Sequence, residues 1–452
     1  MNALFTPEHV AVIGASRDPE SVGYGILKNL LEGGTLERAT PFNGSVYPVN
    51  PNAQEILGRK CFSSILDLKK VDLAIICVPA PLVMQVLQQA AQKKTKAAII
   101  ISAGFGETGK AGHKQEEVLA RLAATKGMLL LGPNCLGIIN TSANLNASFA
   151  PAMPHKGSIA LVSQSGALVD SIIDWSLSAK YGFSKIISYG NAAGQSLPDF
   201  LSYLDKDKET KVITCYVEGI SDGKKLMGVL RDMHKPVVML KAGKTEKGSK
   251  AVSSHTGSLA GSYDITKAAL QQAGAYVAET LEEMFDVAKC LTIPKLRKPV
   301  AIITNGGGCG VLCADACEQQ GIPLATLSSS VLRKLDASKK MHPSYSRANP
   351  LDIIGDARSE RYGAALSVLL SDASIGGVIV IQTLQTMTQT LKDAELMIAA
   401  KKYNKPIVAC FMGGKYTQAA IELLEKNGIP NYSDPFRAAR AMAAILLKNA
   451  IH

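Results

Sequence analysis

One short pattern occurs three times along the chain and limits the folds open to it. An apolar run passes into a turn of small residues at positions 10–16, 158–166 and 300–308. Helix-like segments follow these turns at 25–31, 167–178 and 311–320. The three starts lie roughly one domain length apart, which predicts three modules that open alike.

Further apolar runs between these openings have the length of strands. They lie at 72–78, 97–102, 128–131, 211–217, 236–241, 377–382 and 406–411. Continuous apolar strands that alternate with helices indicate parallel sheets buried on both faces. The second and third modules also share a later phrase, KPVVMLKAGK at 235–244 and KPIVACFMGGK at 405–415. The sequence therefore predicts an α/β protein with a Rossmann-like domain followed by two flavodoxin-like parallel-sheet domains.

Domain boundaries follow from the spacing and from two segments that are typical of linkers. Residues 141–156 are rich in Asn, Ala and Pro, and residues 293–298 read IPKLRK. We predict domains at 1–140, 141–293 and 299–452. In such folds ligands bind at the carboxyl ends of the strands, so the strand-to-helix turns are the candidate functional segments.

The charge balance favours small anionic ligands. Lys and Arg number 49 and Asp and Glu 38, which gives a net charge of +11. The basic residues are dispersed rather than gathered in blocks, and aromatic residues make up only 5% of the chain. Nucleic-acid binding is therefore disfavoured, and an anionic metabolite explains the excess better.

Membrane and secreted classes are also disfavoured. The longest stretch without a charged residue, 127–155, contains Pro133, Pro151 and Pro154, which an apolar spanning helix does not accommodate. The amino terminus has no basic segment followed by an apolar core, so we predict no secretory signal. The nine cysteines are few and odd in number, which favours a reducing cytoplasm over a disulfide scaffold.

Three of these cysteines, Cys309, Cys313 and Cys317, follow one another at a spacing of four. On a helix they share one face, as either metal ligands or small core residues. The spacing matches no familiar iron–sulfur pattern, so core packing is favoured.

The first module carries a phosphate-type turn without the acid of a nicotinamide site. Residues 14–25 follow a strand and precede a helix, but they depart from G-x-G-x-x-G. The next strand ends in Asn50 and Pro51, where NAD-binding units place an Asp or Glu for the ribose hydroxyls. A phosphorylated ribose, as in coenzyme A, suits Asn there. The alternatives are a dehydrogenase and a Rossmann domain with ordinary turn glycines.

The second module combines an anion-binding turn with a histidine. The turn at 163–166 ends a strand and opens a helix, and the turn at 306–308 offers a second such pocket. A small-residue segment with four regularly spaced lysines leads from Lys241 to His255, and we predict a mobile loop there. His255 has no Cys or His companion at metal spacing, so no metal site is predicted. It remains a general base, a nucleophile or a surface residue, with Glu218 as the candidate acid that orients it.

Four ordered motifs carry a family resemblance over essentially the whole chain. They are GPNCLG at 132–137, SQSG at 163–166, YVEG at 216–219 and the run at 241–257 that ends SHTG. Together they resemble the NDP-forming acyl-CoA synthetases of the succinyl-CoA synthetase superfamily, and within it the alpha subunits of ADP-forming acetyl-CoA synthetases.

The resemblance implies roles for named residues. His255 would be the phosphohistidine, and Glu218 would hydrogen-bond its imidazole. Asn134 and Asn191 would border the acyl pocket. Phosphate would bind to two turns at helix starts, Ser163, Gln164, Ser165 and Gly166 in one and Gly306, Gly307 and Gly308 in the other. Coenzyme A would bind to Gly14, Ala15, Ser16, Val49, Asn50, Pro51, Val78, Pro79, Ser102, Ala103 and Gly104.

The implied reaction is the reversible conversion of acyl-CoA, phosphate and ADP into acid, CoA and ATP. It would pass through an acyl phosphate and through phosphorylated His255. No nucleotide-grasping segment is recognisable in the 452 residues, so the resemblance implies a separate ATP-grasp beta subunit that holds ADP or ATP with Mg²⁺, in an α2β2 heterotetramer. A non-catalytic CoA-binding regulatory protein is the alternative. The acyl group, the ADP or GDP preference and the direction stay open.

Overall fold

The computed structural model describes residues 1–179, 181–256 and 262–450, without the side chains of residues 255, 256 and 447–450. The chain forms two compact units, Met1–Ala278 and Glu279–His452. Among the described residues, no helix combines the length and the apolar character needed to cross a membrane.

The first part of the first unit is a Rossmann-like sheet with helices on its faces. Its elements are α1 (Asn2–Phe5), β1 (His9–Ile13), α2 (Val22–Glu32), β2 (Ser45–Val49), β3 (Glu55–Ile56), β4 (Arg59–Lys60), β5 (Leu73–Ile76), α3 (Ala80–Gln92), β6 (Ala97–Ile100), α4 (Lys110–Thr125) and β7 (Leu129–Leu131). Five strands pair in parallel in the order β2-β1-β5-β6-β7. Strand β5 is fully buried along its length, as expected of a parallel strand covered on both faces.

The second part of the first unit is a sheet of seven strands in the order β14-β13-β12-β10-β11-β8-β9. Its elements are β8 (Gly137–Asn140), β9 (Leu145–Ser148), β10 (Lys156–Ser163), α5 (Gly166–Ser178), β11 (Phe183–Ser188), α6 (Leu197–Lys206), β12 (Val212–Val217), α7 (Gly223–Arg231), β13 (Val237–Lys241), α8 (Glu246–Thr256), α9 (Tyr263–Gln272) and β14 (Tyr276–Ala278). Strands β10 to β14 are parallel to one another, and β8 and β9 add an antiparallel hairpin at the β11 edge.

The second unit repeats this plan with four parallel strands in the order β16-β15-β17-β18. Its elements are α10 (Leu281–Leu291), β15 (Val300–Thr304), α11 (Gly307–Gln319), α12 (Ser329–Ala337), β16 (Leu351–Asp352), α13 (Ser359–Ser371), β17 (Gly377–Gln382), α14 (Thr390–Ala400), β18 (Ile407–Phe411), α15 (Gln418–Lys426) and α16 (Pro435–Ala450). Cys313 and Cys317 are buried in a core beneath α11, as the packing interpretation predicted.

The structure confirms the predicted fold class and all seven further strands, each trimmed by at most three residues. Two local predictions were wrong. Part of the segment interpreted as a linker, 141–156, forms a 3-10 turn (Thr141–Ala143) and strand β9. The segment predicted as a mobile loop forms helix α8 over Glu246–Thr256.

Helix α8 is stabilised by local contacts that the loop prediction overlooked. Thr245 caps its start, since its Oγ1 accepts the backbone N–H of Gly248 at 3.1 Å. Glu246 and Lys250 form an ion pair one turn apart, with 2.7 Å between Nζ and Oε1. Val252 is buried and anchors one face of the helix. Glycine and serine content alone misled the prediction.

Candidate functional site

In each sheet, the first of the parallel strands lies between the next two parallel strands of the same sheet. In the first sheet β1 has β2 on one side and β5 on the other. In the second sheet β10 lies between β11 and β12, and in the second unit β15 lies between β16 and β17. The strand order reverses at these points and opens a crevice at the carboxyl ends, where ligands bind in such sheets.

Gly14 lies in a tightly packed turn at the crevice of the first sheet. Its φ of +93° is one that side chains rarely adopt, and an added Cβ would lie 2.7 Å from the carbonyl oxygen of Cys77. Its N–H donates to the carbonyl oxygen of Val49 at 3.0 Å. The amide Nδ2 of Asn50 donates to the carbonyl oxygen of Ala15 at 2.8 Å. Asn50 thus ties its own strand end to the turn at 14–16, a role the sequence did not predict.

The loops after β5 and β6 are joined beside this turn. The hydroxyl of Ser102 donates to the carbonyl oxygen of Val78 at 2.5 Å. Gly104 has a φ of +103°, and its N–H donates to Oε1 of Glu107 at 2.5 Å. The predicted CoA-binding segments therefore share one edge of one sheet.

Asn134 and Asn191 meet, as a shared pocket requires. Nδ2 of Asn134 donates to Oδ1 of Asn191 at 3.2 Å. Nδ2 of Asn191 donates to Oε2 of Glu107 and to Oε1 of Glu116, both at 2.6 Å. One amide thus bridges two carboxylates from the Rossmann-like part and links them to the second sheet.

Glu107 stays ionised in this network. Burial by itself raises the pKa of its carboxyl, but hydrogen bonds from the Gly104 N–H and the Asn191 amide outweigh burial and lower the pKa below its usual value. A carboxylate so held is a fixed acceptor for the loop that carries Ser102 and Gly104.

At the crevice of the second sheet, Gln164 and Glu218 lie together. Oε1 of Gln164 accepts the backbone N–H of Glu218 at 2.5 Å and that of Gly219 at 2.9 Å. The N–H of Gln164 donates to the carbonyl oxygen of Tyr216 at 3.2 Å. The turn after β10 and the end of β12 are thereby locked to each other.

The turn at 163–166 presents the start of helix α5. The hydroxyl of Ser163 donates to the carbonyl oxygen of Ser165 at 2.8 Å and accepts the N–H of Ser165 at 3.1 Å. Oγ of Ser165 accepts the N–H of Leu168 at 3.3 Å and caps the helix. The first N–H groups of a helix attract anions, so this turn suits phosphate.

The turn at 306–308 has the same construction in the second unit. The hydroxyl of Thr304 donates to the carbonyl oxygen of Gly306 at 2.9 Å and accepts its N–H at 3.0 Å. Gly307 begins helix α11, and an added Cβ at Gly308 would meet no atom within 4 Å. The turn is open at Gly308, whereas an added Cβ would lie 2.9 Å from Oγ1 of Thr383 at Gly306 and 2.7 Å from Oδ2 of Asp352 at Gly307.

Glu218 is 6% exposed and lies among polar groups that its strand and its neighbours provide. The Tyr216 hydroxyl hydrogen-bonds it, and burial together with this acid raises the pKa of Tyr216 to about 12. Nζ of Lys241 donates to the carbonyl oxygen of Glu218 at 2.8 Å. The side chain of Glu218 thus begins directly after the last residue of β12.

His255 belongs to the last turn of helix α8, and its side chain lies outside the described residues. The predicted hydrogen bond between its imidazole and the carboxylate of Glu218 therefore stays a prediction. The helix itself lies beside the 3-10 turn Gly106–Thr108, which carries Glu107.

One carboxylate and histidine group of the described residues has the spacing of metal ligands. Glu8, His9 and Asp72 each offer a ligand atom within 4.8 Å of the others. Lys70 lies 3.0 Å from Glu8, and Lys96 lies 3.5 Å from Asp72. These ammonium groups neutralise the carboxylates, which argues for an ion-pair cluster rather than a metal centre.

Sequence reasoning missed the hydrogen bonds that Glu107, Glu116 and Lys241 make beside the predicted site residues. Glu107 was visible in a predicted turn, whereas Glu116 lies inside α4 and nothing local marks it. The sequence marks Lys241 only as the first of four regularly spaced lysines and gives no sign of its contact with Glu218. Its neighbour Glu218 comes from another strand, so only the sheet register reveals the contact.

Three family models together match most of the chain. A CoA binding domain matches residues 8–141, a succinyl-CoA ligase like flavodoxin domain matches 156–291, and a Ligase-CoA domain matches 300–448. The matches follow the three modules.

Two curated relatives illustrate the similarity. The chain is 42% identical to acetate–CoA ligase [ADP-forming] II subunit alpha of Pyrococcus furiosus, over 99% of this chain and 97% of that one. It is 45% identical to acetate–CoA ligase [ADP-forming] I of Archaeoglobus fulgidus, over 98% of this chain. It spans only 63% of the Archaeoglobus ligase's length.

A solved structure agrees in fold over the whole chain. It is an acetyl-coenzyme A synthetase of Ca. Korarchaeum cryptofilum in complex with phosphate and ADP, 36% identical in sequence with a TM-score of 0.93. The match covers 100% of this chain and 97% of that one.

Proposed function

The chain belongs to the family of ADP-forming acetate–CoA ligases, and we propose that it acts as the alpha subunit of an ADP-forming acyl-CoA synthetase. Its reaction converts acyl-CoA, phosphate and ADP into a carboxylic acid, CoA and ATP, reversibly. The observation that carries this proposal is the placement of Gln164 and Glu218 at the strand-order reversal of the module that contains His255.

The reaction proceeds in three transfers. An oxygen of phosphate attacks the thioester carbonyl carbon, the carbon–sulfur bond breaks, and CoA leaves as the thiolate. A nitrogen of His255 then attacks the phosphorus of the acyl phosphate, and the acid leaves as its carboxylate. Finally the phosphoryl group passes from His255 to the terminal oxygen of ADP. Each step redistributes negative charge, which helix starts and ordered N–H groups stabilise.

Coenzyme A binds across the crevice of the first sheet. The tightly packed turn at 14–16 brings backbone N–H groups close to the ligand. Asn50, which hydrogen-bonds this turn, has no negative charge that would repel a phosphorylated ribose. The joined loops at 78–79 and 102–104 complete the same edge. The acyl end lies toward Asn134 and Asn191, whose amides meet beside the second sheet.

Phosphate binds at the turn 163–166, and the turn 306–308 provides a second anion site in the other unit. Glu218 accepts a hydrogen bond from the imidazole of His255 and offsets its charge while the phosphoryl group is bound. A carboxylate that accepts one ring N–H of an imidazole fixes its tautomer, so that the other ring nitrogen attacks the phosphorus.

A partner subunit completes the reaction. The Pyrococcus relative is named a subunit alpha, which supports a heteromeric assembly here. We propose an ATP-grasp beta subunit in an α2β2 heterotetramer, with ADP or ATP and Mg²⁺ held mainly by the partner. The excess of basic residues suits CoA and phosphate, and the reaction takes place in the cytoplasm.

Turnover by the reconstituted complex tests this function. With acetyl-CoA, phosphate, ADP and Mg²⁺, the chain and its ATP-grasp partner are expected to form ATP. A His255→Ala variant is expected to lose at least about a thousandfold in kcat, because the carrier nitrogen is gone and no other group receives the phosphoryl group.

The same variant separates the enzyme from the regulatory alternative. Calorimetry with CoA is expected to give His255→Ala the wild-type affinity, since the CoA segments lie in another sheet. Wild-type turnover in the variant would contradict the proposed function. CoA binding without turnover in any partner complex would favour a regulatory CoA-binding protein.

A further inference from the structure

Lys241 is a buried lysine that the proposed chemistry leaves without a role. It ends strand β13 and is 8% exposed. Its Nζ donates to the carbonyl oxygens of Glu218 at 2.8 Å and Ala242 at 2.5 Å. Burial lowers the pKa of Lys241, and the negative charge of Glu218 acts in the opposite direction. Burying an ammonium group costs free energy, so the position of Lys241 in the interior requires an explanation.

The second unit shows that the fold does not require this lysine. Register pairs Ser163 with Tyr216 and Val217 with Lys241 in the first unit. In the second unit it pairs Thr304 with Ile381 and Gln382 with Phe411. Since the turns at Ser163 and Thr304 are built alike, Lys241 corresponds to Phe411, which is fully buried.

The other two members of the polar set also change between the units. Tyr216 corresponds to Ile381, and Glu218 corresponds to Thr383, the residue that follows β17. Thr383 is held as Glu218 is, because its N–H donates to the side-chain oxygen of Asn305 at 2.8 Å. The polar set of tyrosine, glutamate and lysine therefore occurs in the unit whose helix carries His255 and is replaced in the other.

We propose that Lys241 is a positioning residue for Glu218: its ammonium fixes the backbone of Glu218 and keeps the carboxylate charged toward His255. The inference rests on the proposed function, since it assigns Glu218 its partner in that reaction. Phe411 occupies the same place at the end of its strand but has no glutamate to position. This difference in role explains why the residue differs between the two units.

The backbone of Glu218 is held from two sides. Gln164 accepts the N–H groups of Glu218 and Gly219, and Lys241 donates to the carbonyl oxygen of Glu218. The peptide cannot rotate without breaking these bonds, so the direction of the Cα–Cβ bond of Glu218 is set, and the Tyr216 hydroxyl hydrogen-bonds the carboxylate at the far end of the side chain. A fixed acceptor orients an imidazole better than a mobile one.

The charge of Lys241 also favours the ionised carboxyl. Three described titratable groups interact electrostatically with Glu218: Tyr216 at the end of β12, Tyr189 after β11 and Lys241 at the end of β13. Lys241 is the member of this group that carries a positive charge when protonated. A neighbouring cation lowers the pKa of a carboxyl, and only the ionised form balances an imidazolium.

The test compares pH profiles of kcat/KM and kcat for the complete complex forming ATP. Lys241→Gln keeps N–H donors but loses the charge, whereas Lys241→Arg keeps the charge. For Lys241→Gln we expect at least about a tenfold fall in kcat at neutral pH, an acid limb about one pH unit higher, and an unchanged KM for acetyl-CoA. For Lys241→Arg we expect the acid limb of the wild type.

Lys235→Gln is the matched control. Lys235 precedes the same strand and donates to the carbonyl oxygens of Leu204 and Asp207, yet it lies at the opposite end of β13. Its counterpart Lys405 also donates to a carbonyl oxygen, that of Asp372, so this lysine is common to both units. We expect Lys235→Gln to keep the wild-type pH profile.

Three results would overturn the inference. They are an acid limb in Lys241→Gln that coincides with that of Lys235→Gln, a rise in KM with unchanged kcat, and a displaced acid limb in Lys241→Arg. The last remains decisive if Lys241→Gln does not fold. Failure of the proposed function looks different, because the wild-type complex itself would then form no ATP.

Discussion

Replacing Gly23 with alanine is expected to weaken CoA binding by at least about tenfold and to destabilise the first unit by about 1–3 kcal/mol. Gly23 lies in the first turn of α2, directly against the turn at 14–16. An added Cβ would lie 2.0 Å from the carbonyl oxygen of Gly14 and 3.2 Å from Cα of Ala15. Both contacts are with backbone, so the helix and the turn must separate.

Gly25→Ala is the matched control for this prediction. Gly25 lies on the same helix, two residues further on, and an added Cβ there would meet no atom within 4 Å. Alanine favours a helix over glycine, so this variant is expected to be as stable as the wild type or about 0.5–1 kcal/mol more stable. Calorimetry with CoA and thermal unfolding measure both effects. Equal CoA affinity in both variants would mean that the turn at 14–16 does not contact CoA.

Replacing Glu218 with glutamine is expected to lower kcat by about 10²–10⁴-fold with little change in CoA affinity. Glutamine keeps the size of the side chain, and the backbone bonds to Gln164 and Lys241 do not involve the carboxyl group. What is lost is the charge that balances the imidazole of His255 during transfer. Thermal stability is expected to change little.

Glu209→Gln serves as the control for charge loss near the same strand. Glu209 precedes β12 at its amino end and pairs with Lys185 at 3.3 Å. It lies far along the strand from the turn at 163–166, so kcat is expected to stay within about twofold of the wild type. If Glu218→Gln retained the same activity as Glu209→Gln, Glu218 would have no role in the transfer.

The fold was accessible from the sequence because its signals are local. The apolar runs predict the strands, and the repeated turn predicts where each module begins. Helix α8 was missed because composition suggested a loop, although Thr245 and the Glu246–Lys250 pair mark a helix start. The hairpin of β8 and β9 was missed because its pairing with β11 depends on a distant strand.

The site was accessible only in part, for a related reason. Motifs mark the turns at strand ends, and the structure brings Asn134 to Asn191 and Gln164 to Glu218. The contacts of Asn191 with Glu107 and Glu116 join residues far apart in the chain. Which residues of the turns bind CoA, phosphate and the acyl group stays a prediction.

Whether His255 carries the phosphoryl group is decided by mapping the label. The chain is incubated with its ATP-grasp partner, Mg²⁺ and ATP labelled in the terminal phosphate, and the denatured chain is digested and sequenced by mass. We expect acid-labile, base-stable label in the peptide that contains His255, and discharge of this label to ADP. Label on another residue, or label that persists in His255→Ala, would contradict the proposed carrier.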